Sequence, residues 1–576
     1  MRALRTAQLL RRWLMRDGTS ALERVRAAER HEEFDINRRV QVEEGLLLPQ
    51  RHRPTVHVGI GTSGNGQPAP IVMDEAEVRG GGHWLVTGAT GSGKSFAVLS
   101  ILMQLIARRP KNIVIIDMKG ELAELVRTIA LPSLIATLLD EQARAIVAST
   151  AVIAPFDRDA TPPFQVLTRD PSLAVELQAT EVATSFGNTV GRDLGVLQGT
   201  ILKYALMLAI DVGLTLEDLP RILQDDDLRR GAVERTRLEE VRAYFAGRFP
   251  RERPGSVASL LSRLDTLLMH ETLRRMLRSR GMVRFDRLLE RGITIISLGG
   301  SPAGMGEVGK FFGQLLFRKL VRAIFARRVQ PNTLPVTIVA DEFQAMLAPD
   351  IGSDFERVLT LARSQRCFLW CLFQQAAQVE AVSPTLLRLL RTNTNYQLMG
   401  RSDIADARAL SHILPVTGRV PRVQRGFPDP RNPPQFLTID DERRRLVEQV
   451  PSMPDRLFWF WNRRSQQDAV LMRSATLRMD RMRARANSLP PELRSAISRG
   501  VLAADEQAVV VTGRERERFR RELAGDTGGE TNDNADSADV DSDASAPAPP
   551  DPEPVVPPPA QRRARTTRRR GGPNLG

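Results

Sequence analysis

Short apolar runs alternate with longer amphipathic segments along most of the chain. Five of these runs have the length and the uncharged character of buried strands, at 84–87, 113–116, 293–298, 336–340 and 367–373. Two later runs of the same kind lie at 395–400 and 457–461. Because apolar strands that alternate with helices form parallel sheets covered on both faces, the pattern predicts an α/β fold with a mostly parallel sheet.

From about residue 165 to residue 290 the apolar positions change to a helical period. The leucines at positions 260, 261, 264, 267 and 268 fall on one face of a helix. We therefore predict one α/β core that an all-α domain interrupts. The predicted boundaries are 51–145 for the first part of the core, 146–290 for the all-α insertion, 291–475 for the second part and 476–525 for C-terminal helices.

The two ends of the chain differ from this core in composition. Residues 1–50 are strongly charged, and arginines alternate there with apolar side chains in a pattern typical of a helical arm. Such an arm fits an anionic membrane surface, a protein partner or the adjoining domain. Residues 526–576 are acidic, then rich in proline and then rich in arginine. They cannot bury enough apolar surface to fold, so we predict a disordered tail.

The net charge and the cysteine content indicate what kind of partner and what kind of compartment the protein has. The 576 residues carry 82 lysines and arginines against 68 acidic residues, a formal net charge of +14. That excess indicates a polyanionic partner, although an arginine-rich solvated surface explains it too. Cys367 and Cys371 are the two cysteines, and no apolar stretch reaches the ~18 residues that a transmembrane helix needs. We expect no disulfide framework and a cytoplasmic location, or a peripheral one at the inner membrane through a partner.

A glycine-rich octapeptide follows the apolar run at 84–87 and precedes an apolar helical segment at 96–106. It comprises Gly88, Ala89, Thr90, Gly91, Ser92, Gly93, Lys94 and Ser95. Its glycines let successive backbone N–H groups curve around the phosphates of a nucleotide at a helix N-terminus. Lys94 then reaches the outer phosphates, and the Ser95 hydroxyl binds Mg²⁺. The motif predicts a site for ATP and Mg²⁺.

Two adjacent carboxylates end the apolar run at 336–340. Asp341 is placed to hold Mg²⁺ opposite the phosphate-binding loop, directly or through water. Glu342 can orient and deprotonate the attacking water, which distinguishes an ATPase from a passive nucleotide binder.

Three polar side chains flank the next apolar run. Gln374 ends it and can bond water or the γ-phosphate, although a helix-capping amide is the alternative. Arg363 and Arg366 precede it, and either one can enter the site of a neighbouring subunit as an arginine finger. Two solvated surface arginines are an equally good interpretation.

These residues together resemble the FtsK/HerA superfamily of ring-shaped DNA-pumping ATPases, and within it the coupling proteins of type IV secretion and conjugation systems. Five features carry the resemblance: the strand and loop from His83 to Ser95, the segment Ile116 to Glu121, an all-α domain after the second strand, the triplet Asp341 to Phe343, and the triplet Ala362 to Ser364 with Gln374 eleven residues after Arg363. The similarity covers roughly residues 55 to 475.

The resemblance implies a RecA-like core, a homohexamer with ATP between protomers, and DNA in the central channel. It favours Arg363 over Arg366 as the finger. The chain departs from the family pattern in two respects. Coupling proteins usually begin with membrane-spanning helices, which this sequence lacks, and Met118 replaces the family's proline, which leaves the role of Lys119 open.

Three functions follow as hypotheses. The first is a Mg²⁺- and ATP-dependent translocase that moves DNA through a homohexamer, with channel arginines such as Arg419, Arg422 and Arg425 on the phosphates. The second is a coupling ATPase that delivers a relaxase or another protein substrate to a secretion channel, which the N-terminal arm would contact. The third is a nucleotide-gated assembly protein whose hydrolysis of ATP is incidental.

Overall fold

The computed structural model describes residues 56–499 and the pair 507–508. Inside the first range the description omits 63–67, 109–110, 139, 158–165, 171–172, 190–193, 252–253, 272–273, 275–281, 300–306, 417, 419–435 and 466–467. The predicted arm at 1–50 and the predicted tail at 526–576 lie outside the described residues, as do Arg419, Arg422 and Arg425.

Thirteen strands form two sheets in the described part of the chain. They are β1 (Val56–Thr62), β2 (Pro68–Met73), β3 (Trp84–Thr87), β4 (Asn112–Asp117), β5 (Thr150–Ile153), β6 (Met282–Val283), β7 (Ile293–Ser297), β8 (Val336–Asp341), β9 (Cys367–Phe373), β10 (Tyr396–Met399), β11 (Leu457–Asn462), β12 (Val470–Ser474) and β13 (Gln507–Ala508). Eleven of them form one sheet in the order β2-β1-β12-β11-β10-β3-β9-β8-β4-β7-β5, and β6 pairs with β13.

The main sheet is parallel from β10 to β5 and antiparallel beyond β10. Every residue of its parallel strands is buried, which explains why those strands are continuous apolar runs rather than alternating ones. Trp84 stacks between Trp370 and Tyr396 of the neighbouring strands, with ring centroids 4.7 and 4.8 Å away. The predicted α/β fold with a mostly parallel sheet is confirmed.

Helices cover both faces of the sheet's parallel part or form the helical insertion. The α-helices are α1 (Glu75–Gly80), α2 (Lys94–Arg108), α3 (Glu121–Leu125), α4 (Leu131–Ile135), α5 (Asp140–Ala148), α6 (Val175–Thr189), α7 (Val196–Val212), α8 (Leu219–Gln224), α9 (Asp226–Arg235), α10 (Glu239–Ala243), α11 (Pro254–Leu268), α12 (Phe285–Leu288), α13 (Glu307–Ala326), α14 (Pro349–Leu361), α15 (Ala376–Val382), α16 (Pro384–Asn393), α17 (Ile404–Ala409), α18 (Ile439–Gln449), α19 (Met479–Ser488) and α20 (Pro491–Arg499). Within the part described, none of them is long and apolar enough to cross a membrane.

Shorter helical turns connect several of these elements. Val126–Ala130 and Tyr244–Arg248 are π-helical, and the 3₁₀ turns are Leu216–Asp218, Phe249–Arg251, Phe343–Met346, Ala362–Gln365, Ser411–Ile413, Val450–Ser452 and Arg463–Ser465.

The boundary predicted for the helical insertion is wrong at its start. Strand β5 lies inside the range 146–290 that was predicted to be all helical, and it pairs with β7 at the edge of the main sheet. The strand has only four residues, and a single residue separates it from helix α5. A run this short does not show a strand pattern in the sequence. The helical insertion therefore begins after Ile153, and helices α6 to α11 form most of it.

The first two antiparallel strands, β1 and β2, have a weaker strand pattern in their sequence than the parallel strands have. Strand β1 contains Gly59 and Gly61, and β2 contains Pro68 and Pro70, residues that weaken a strand pattern. Their pairing with β12 and with each other is decided by the fold around them.

We predict that Leu264→Ala lowers the free energy of unfolding by about 2–5 kcal/mol, because the side chain is 1% exposed in the core of the insertion and its removal leaves a cavity. Leu177→Ala is the matched control, since Leu177 lies on another helix of the insertion and is 57% exposed. Urea denaturation followed by circular dichroism measures both. Equal stability of the two variants would contradict the packing described for α11.

Candidate nucleotide-binding site

The order of the parallel strands brings the predicted site residues to one edge of the sheet. Strand β9 lies between β3 and β8, and β4 follows β8. The carboxyl ends of these strands therefore lie side by side, with the glycine-rich loop after β3, Gln374 after β9 and Glu342 after β8. In open α/β sheets this edge is where ligands bind.

The loop from Gly88 to Ser95 has the backbone that its sequence predicts. Gly88, Gly91 and Gly93 have φ angles of 156°, 79° and 92°, a region that favours glycine. A Cβ at Gly88 would lie 2.6 Å from Ser92 Oγ, and one at Gly93 would lie 2.8 Å from Arg456 Cγ. No other residue fits these two positions. Helix α2 begins at Lys94, so its free N–H groups point at the loop.

Lys94 lies across the loop in this structure. Its Nζ donates hydrogen bonds to the carbonyl oxygens of Gly88 at 2.6 Å and Ala89 at 3.4 Å. Burial lowers the pKa of Lys94, while the nearby carboxylates of Glu342 and Asp341 oppose that change. The ammonium group therefore partly offsets the negative charge of Asp341 and Glu342 at the carboxyl ends of the strands. It also lies close to the position where phosphates would bind.

Asp341 carries an unsatisfied oxygen. The residue is 3% exposed, and its Oδ1 has no hydrogen-bond partner among the described residues. Burial and the neighbouring carboxylates of Asp117 and Glu342 raise the pKa of Asp341 well above its usual range. A buried carboxylate oxygen that lacks a donor fits a Mg²⁺ ligand, and the partly exposed Ser95 in the facing loop supplies a hydroxyl of the kind that completes such a set.

Asp117 is directly opposite Asp341 in the register of β4 and β8, but its oxygens are already occupied. They accept backbone N–H groups of Lys119, Gly120 and Ala123 at 2.9, 2.7 and 2.9 Å. Asp117 therefore caps the turn into α3. Lys119 forms an ion pair with Glu121 at 2.6 Å.

Gln374 joins the glycine-rich loop to Glu342. Its Oε1 accepts the Thr90 hydroxyl at 2.8 Å, and its Nε2 donates to Glu342. The second carboxylate oxygen of Glu342 accepts from Gln344. We refer to Thr90, Gln374 and Glu342 as the relay. The sequence placed Gln374 beside the acidic pair, but it gave no signal for Thr90 or Gln344, whose contacts depend on how the loops fold.

Glu342 has a left-handed backbone, with φ 51° and ψ 38°. A non-glycine residue in this region costs on the order of 1 kcal/mol or more and occurs mainly where the surrounding structure imposes it. Here the conformation turns the chain sharply after β8 and leaves the carboxylate between two glutamine amides. Such strain clusters at functional sites.

The two arginines before β9 lie at the opposite edge of the sheet. Arg366 Nη1 donates to the carbonyl oxygens of Pro331 and Thr333 at 3.1 and 2.6 Å, so it fastens a loop of its own subunit. Arg363 is exposed. Neither arginine can reach the glycine-rich loop of its own chain, because β9 separates the two edges.

Two further arginines, which no motif in the sequence marks, support the loop through their backbones. The Ala89 N–H donates to the Arg401 carbonyl at 2.6 Å, and the Arg456 N–H donates to the Ser92 carbonyl at 2.8 Å. Arg401 also pairs with Asp455 at 2.9 Å. Arg401 follows β10 and Arg456 precedes β11. The pairing of β10 with β3 and β11, rather than a local motif, brings these arginines to the glycine-rich loop.

Comparison with known proteins gives one family and several relatives. Residues 57–194, which include the glycine-rich loop, match the family described as Helicase HerA, central domain. Over 80 residues the chain is 40% identical to the ESX-3 secretion system protein EccC3 of Mycobacterium tuberculosis. That stretch is 13% of this chain and 6% of the relative, so the chain spans only a small part of that protein's length.

Two of the solved structures that align with this chain are coupling protein TrwB and VirB4. Plasmid coupling protein TrwB in complex with ADP and Mg²⁺ is 15% identical, with a TM-score of 0.47 over 72% of this chain and 88% of that one. VirB4 of Thermoanaerobacter pseudethanolicus is 13% identical, with a TM-score of 0.47 over 76% and 99%. The family match covers residues 57–194 alone, and over that range it agrees with the FtsK/HerA resemblance that the motifs indicated.

Proposed function

We propose that the chain is a Mg²⁺-dependent ATPase that assembles into a ring of identical subunits and moves DNA. The observation that carries this proposal is the relay. A hydrogen-bonded chain from Thr90 through Gln374 to Glu342 ties the phosphate-binding loop to the carboxylate that would activate water. A protein that only binds nucleotide has no use for that connection.

ATP binding in this proposal uses the loop and Lys94. The backbone N–H groups from Gly88 to Ser95 would surround the phosphates, and Lys94 would leave the Gly88 and Ala89 carbonyls to contact the outer phosphates. Asp341 and Ser95 would hold Mg²⁺. When bound, the ion neutralises charge on the phosphates and on the crowded carboxylates.

Hydrolysis in this proposal depends on Glu342. Its carboxylate orients a water molecule and accepts one of its protons as the oxygen attacks the terminal phosphorus, and ADP leaves. The left-handed backbone and the two amide donors fix the direction of the carboxylate. Because Gln374 bonds both Thr90 and Glu342, a change at the phosphates alters its contacts and can be transmitted along β9.

A ring of identical subunits explains the position of Arg363. The side chain is exposed at the sheet edge opposite the glycine-rich loop from Gly88 to Ser95, which we call the P-loop. The P-loop that it can approach is therefore that of a neighbouring copy. An arginine supplied in this way raises phosphoryl-transfer rates by ~10³–10⁵. We propose a homohexamer, as the family resemblance implies.

DNA is the cargo that the net charge of +14 favours. Contacts from arginines to backbone phosphates carry no sequence information and weaken steeply with salt, which suits a motor that moves along any sequence. The relative that shares 40% identity over 80 residues is named as a secretion system protein, and this favours a second candidate, delivery of a protein substrate to a secretion channel.

We predict that DNA raises the rate of ATP hydrolysis severalfold and that the effect disappears at high salt, because the contacts are to phosphates. Steady-state turnover is measured with no addition, with single-stranded DNA, with double-stranded DNA and with a candidate protein substrate. Mass measurement of the assembly accompanies each condition. Stimulation by protein but not by either DNA would replace the first candidate with the second, and a monomer under all conditions would contradict the ring.

We predict that Glu342→Gln retains ATP binding and assembly but loses turnover by ~10²–10⁴-fold, the contribution of a general base. Glu380→Gln is the control, since Glu380 is an exposed glutamate on α15. Binding of a fluorescent ATP analogue and release of phosphate are measured on both. Substantial turnover in Glu342→Gln would remove Glu342 from the chemistry, and transport activity without turnover would favour the nucleotide-gated assembly protein.

We predict that Gln374→Ala lowers kcat by at least about tenfold and weakens the stimulation by DNA, while KM for ATP changes little, because the glutamine contacts Glu342 and Thr90 rather than the whole nucleotide. Gln375→Ala is the control, because this exposed neighbour makes no side-chain cap to α15. Equal kinetics for the two variants would show that the relay has no part in turnover.

A further inference from the structure

A positively charged cavity lies at the edge of the sheet opposite the P-loop. Its volume is about 410 Å³, and its charged lining consists of Arg363, Arg463 and Arg464. His83 and Asn395 also line it, and the other lining residues are three threonines, one asparagine and one leucine. Among the described residues at its wall, none carries a carboxylate.

The topology of the sheet assembles this cavity from four strands. His83 precedes β3, Arg363 lies in the turn before β9, and Asn395 precedes β10. Arg463 and Arg464 follow β11, which is antiparallel to β10 and therefore ends at the same edge. The four residues of β3 span ~13 Å at ~3.3 Å each, so the sheet separates the cavity from the P-loop of its own chain.

His83 lies at the wall of this cavity and is almost fully buried. The side chain is 3% exposed, and its Nδ1 accepts the Leu369 N–H at 2.9 Å. Burial, with the charges of Arg363 and Arg464, lowers the pKa of His83 to about 4, so the ring is neutral at pH 7 and carries its proton on Nε2. Nε2 has no partner in the described part of the chain. A buried N–H group of this kind requires an acceptor.

The two arginines after β11 are held in place without being neutralised. The Arg463 backbone N–H donates to the Asn395 carbonyl at 2.9 Å, and its guanidinium donates to the carbonyl oxygens of Thr392 and Thr394. The Arg464 guanidinium lies 5.7 Å from the centre of the Tyr396 ring. Neither arginine forms an ion pair with a described residue, and the same is true of Arg363. Three arginines thus line a cavity whose other lining residues carry no carboxylate, the composition that binds phosphate.

We propose that this cavity is a phosphate-binding site, in which Arg363, Arg463 and Arg464 supply the charge and His83 Nε2 supplies a neutral donor. The phosphate comes from one of two sources: the terminal phosphate of a nucleotide on the P-loop of a second copy, or free inorganic phosphate. The first source rests on the proposed function and extends the contribution of the neighbouring subunit from Arg363 to a four-residue pocket. The second source does not depend on it.

The first arm of the test measures inorganic phosphate binding by calorimetry on full-length chains that carry Lys94→Ala, which disables the P-loop. We expect binding that weakens at least tenfold when Arg464→Ala is added and recovers in part with Arg464→Lys. Arg481→Ala, an exposed arginine on α19, is the control and leaves binding unchanged. Circular dichroism and thermal melts confirm that each variant is folded, and His83→Phe against His83→Gln tests the neutral donor separately.

The second arm mixes Lys94→Ala with Arg464→Ala, each of which we expect to lose turnover alone if the cavity binds the nucleotide of a second copy. Lys94→Ala has an intact cavity, and Arg464→Ala has an intact P-loop, so turnover that returns in the mixture shows that the cavity of one copy serves the nucleotide of another. Phosphate binding without recovery of turnover assigns the cavity to free phosphate. If wild-type chain hydrolyses ATP and Arg464→Ala matches it in both turnover and phosphate binding, the inference is overturned while the proposed function stands. If wild-type chain has no turnover, the proposed function fails. The measurement of inorganic phosphate binding then decides by itself whether the cavity is a phosphate-binding site.

Discussion

The crowding of carboxylates at the carboxyl edge of the sheet is the constraint on which the rest of the site depends. Asp117, Asp341 and Glu342 lie together there because β4 and β8 are paired in register and end at the same level. Burial raises the pKa of Asp117 and, more strongly, that of Asp341. Backbone N–H groups satisfy Asp117, and two amides satisfy Glu342, but Asp341 keeps an unpaired oxygen. The ammonium group of Lys94 offsets part of the negative charge of Asp341 and Glu342. The unpaired oxygen of Asp341 is suited to binding a cation.

The two edges of the sheet have opposite chemistry. Acidic side chains and a phosphate-binding loop occupy one edge, while Arg363, Arg463, Arg464 and the donor of His83 occupy the other. Surfaces that differ in this way favour contacts between unlike faces of identical copies, and such contacts close into rings when the rotation allows. The polarity of a parallel sheet thus supplies both halves of the proposed site from a single chain.

The helical insertion is connected to the acidic edge by hydrogen bonds. Asn188, near the end of α6, donates to Asp350 at 2.9 Å, and Asp350 pairs with Arg318 of α13. Gln314, also on α13, donates to the carbonyl of Met346 at 3.1 Å, only four residues after Glu342. Buried polar contacts of this type fix the position of one element relative to another. The insertion is therefore linked through α13 and α14 to the turn that follows Glu342, and it is not a freely attached domain.

The sequence by itself determined the parallel strands, the P-loop, the acidic pair and Gln374, because fully buried strands are continuous apolar runs and a phosphate loop needs glycine at fixed positions. Tertiary structure alone decided the partners of these residues. The residues of the relay, Thr90, Gln374 and Glu342, are far apart in the chain. Strand β5 is too short to show a period. His83 and Arg464 line one cavity only because antiparallel β11 ends at the edge where β3 begins. Such contacts depend on strand order, which no local pattern encodes.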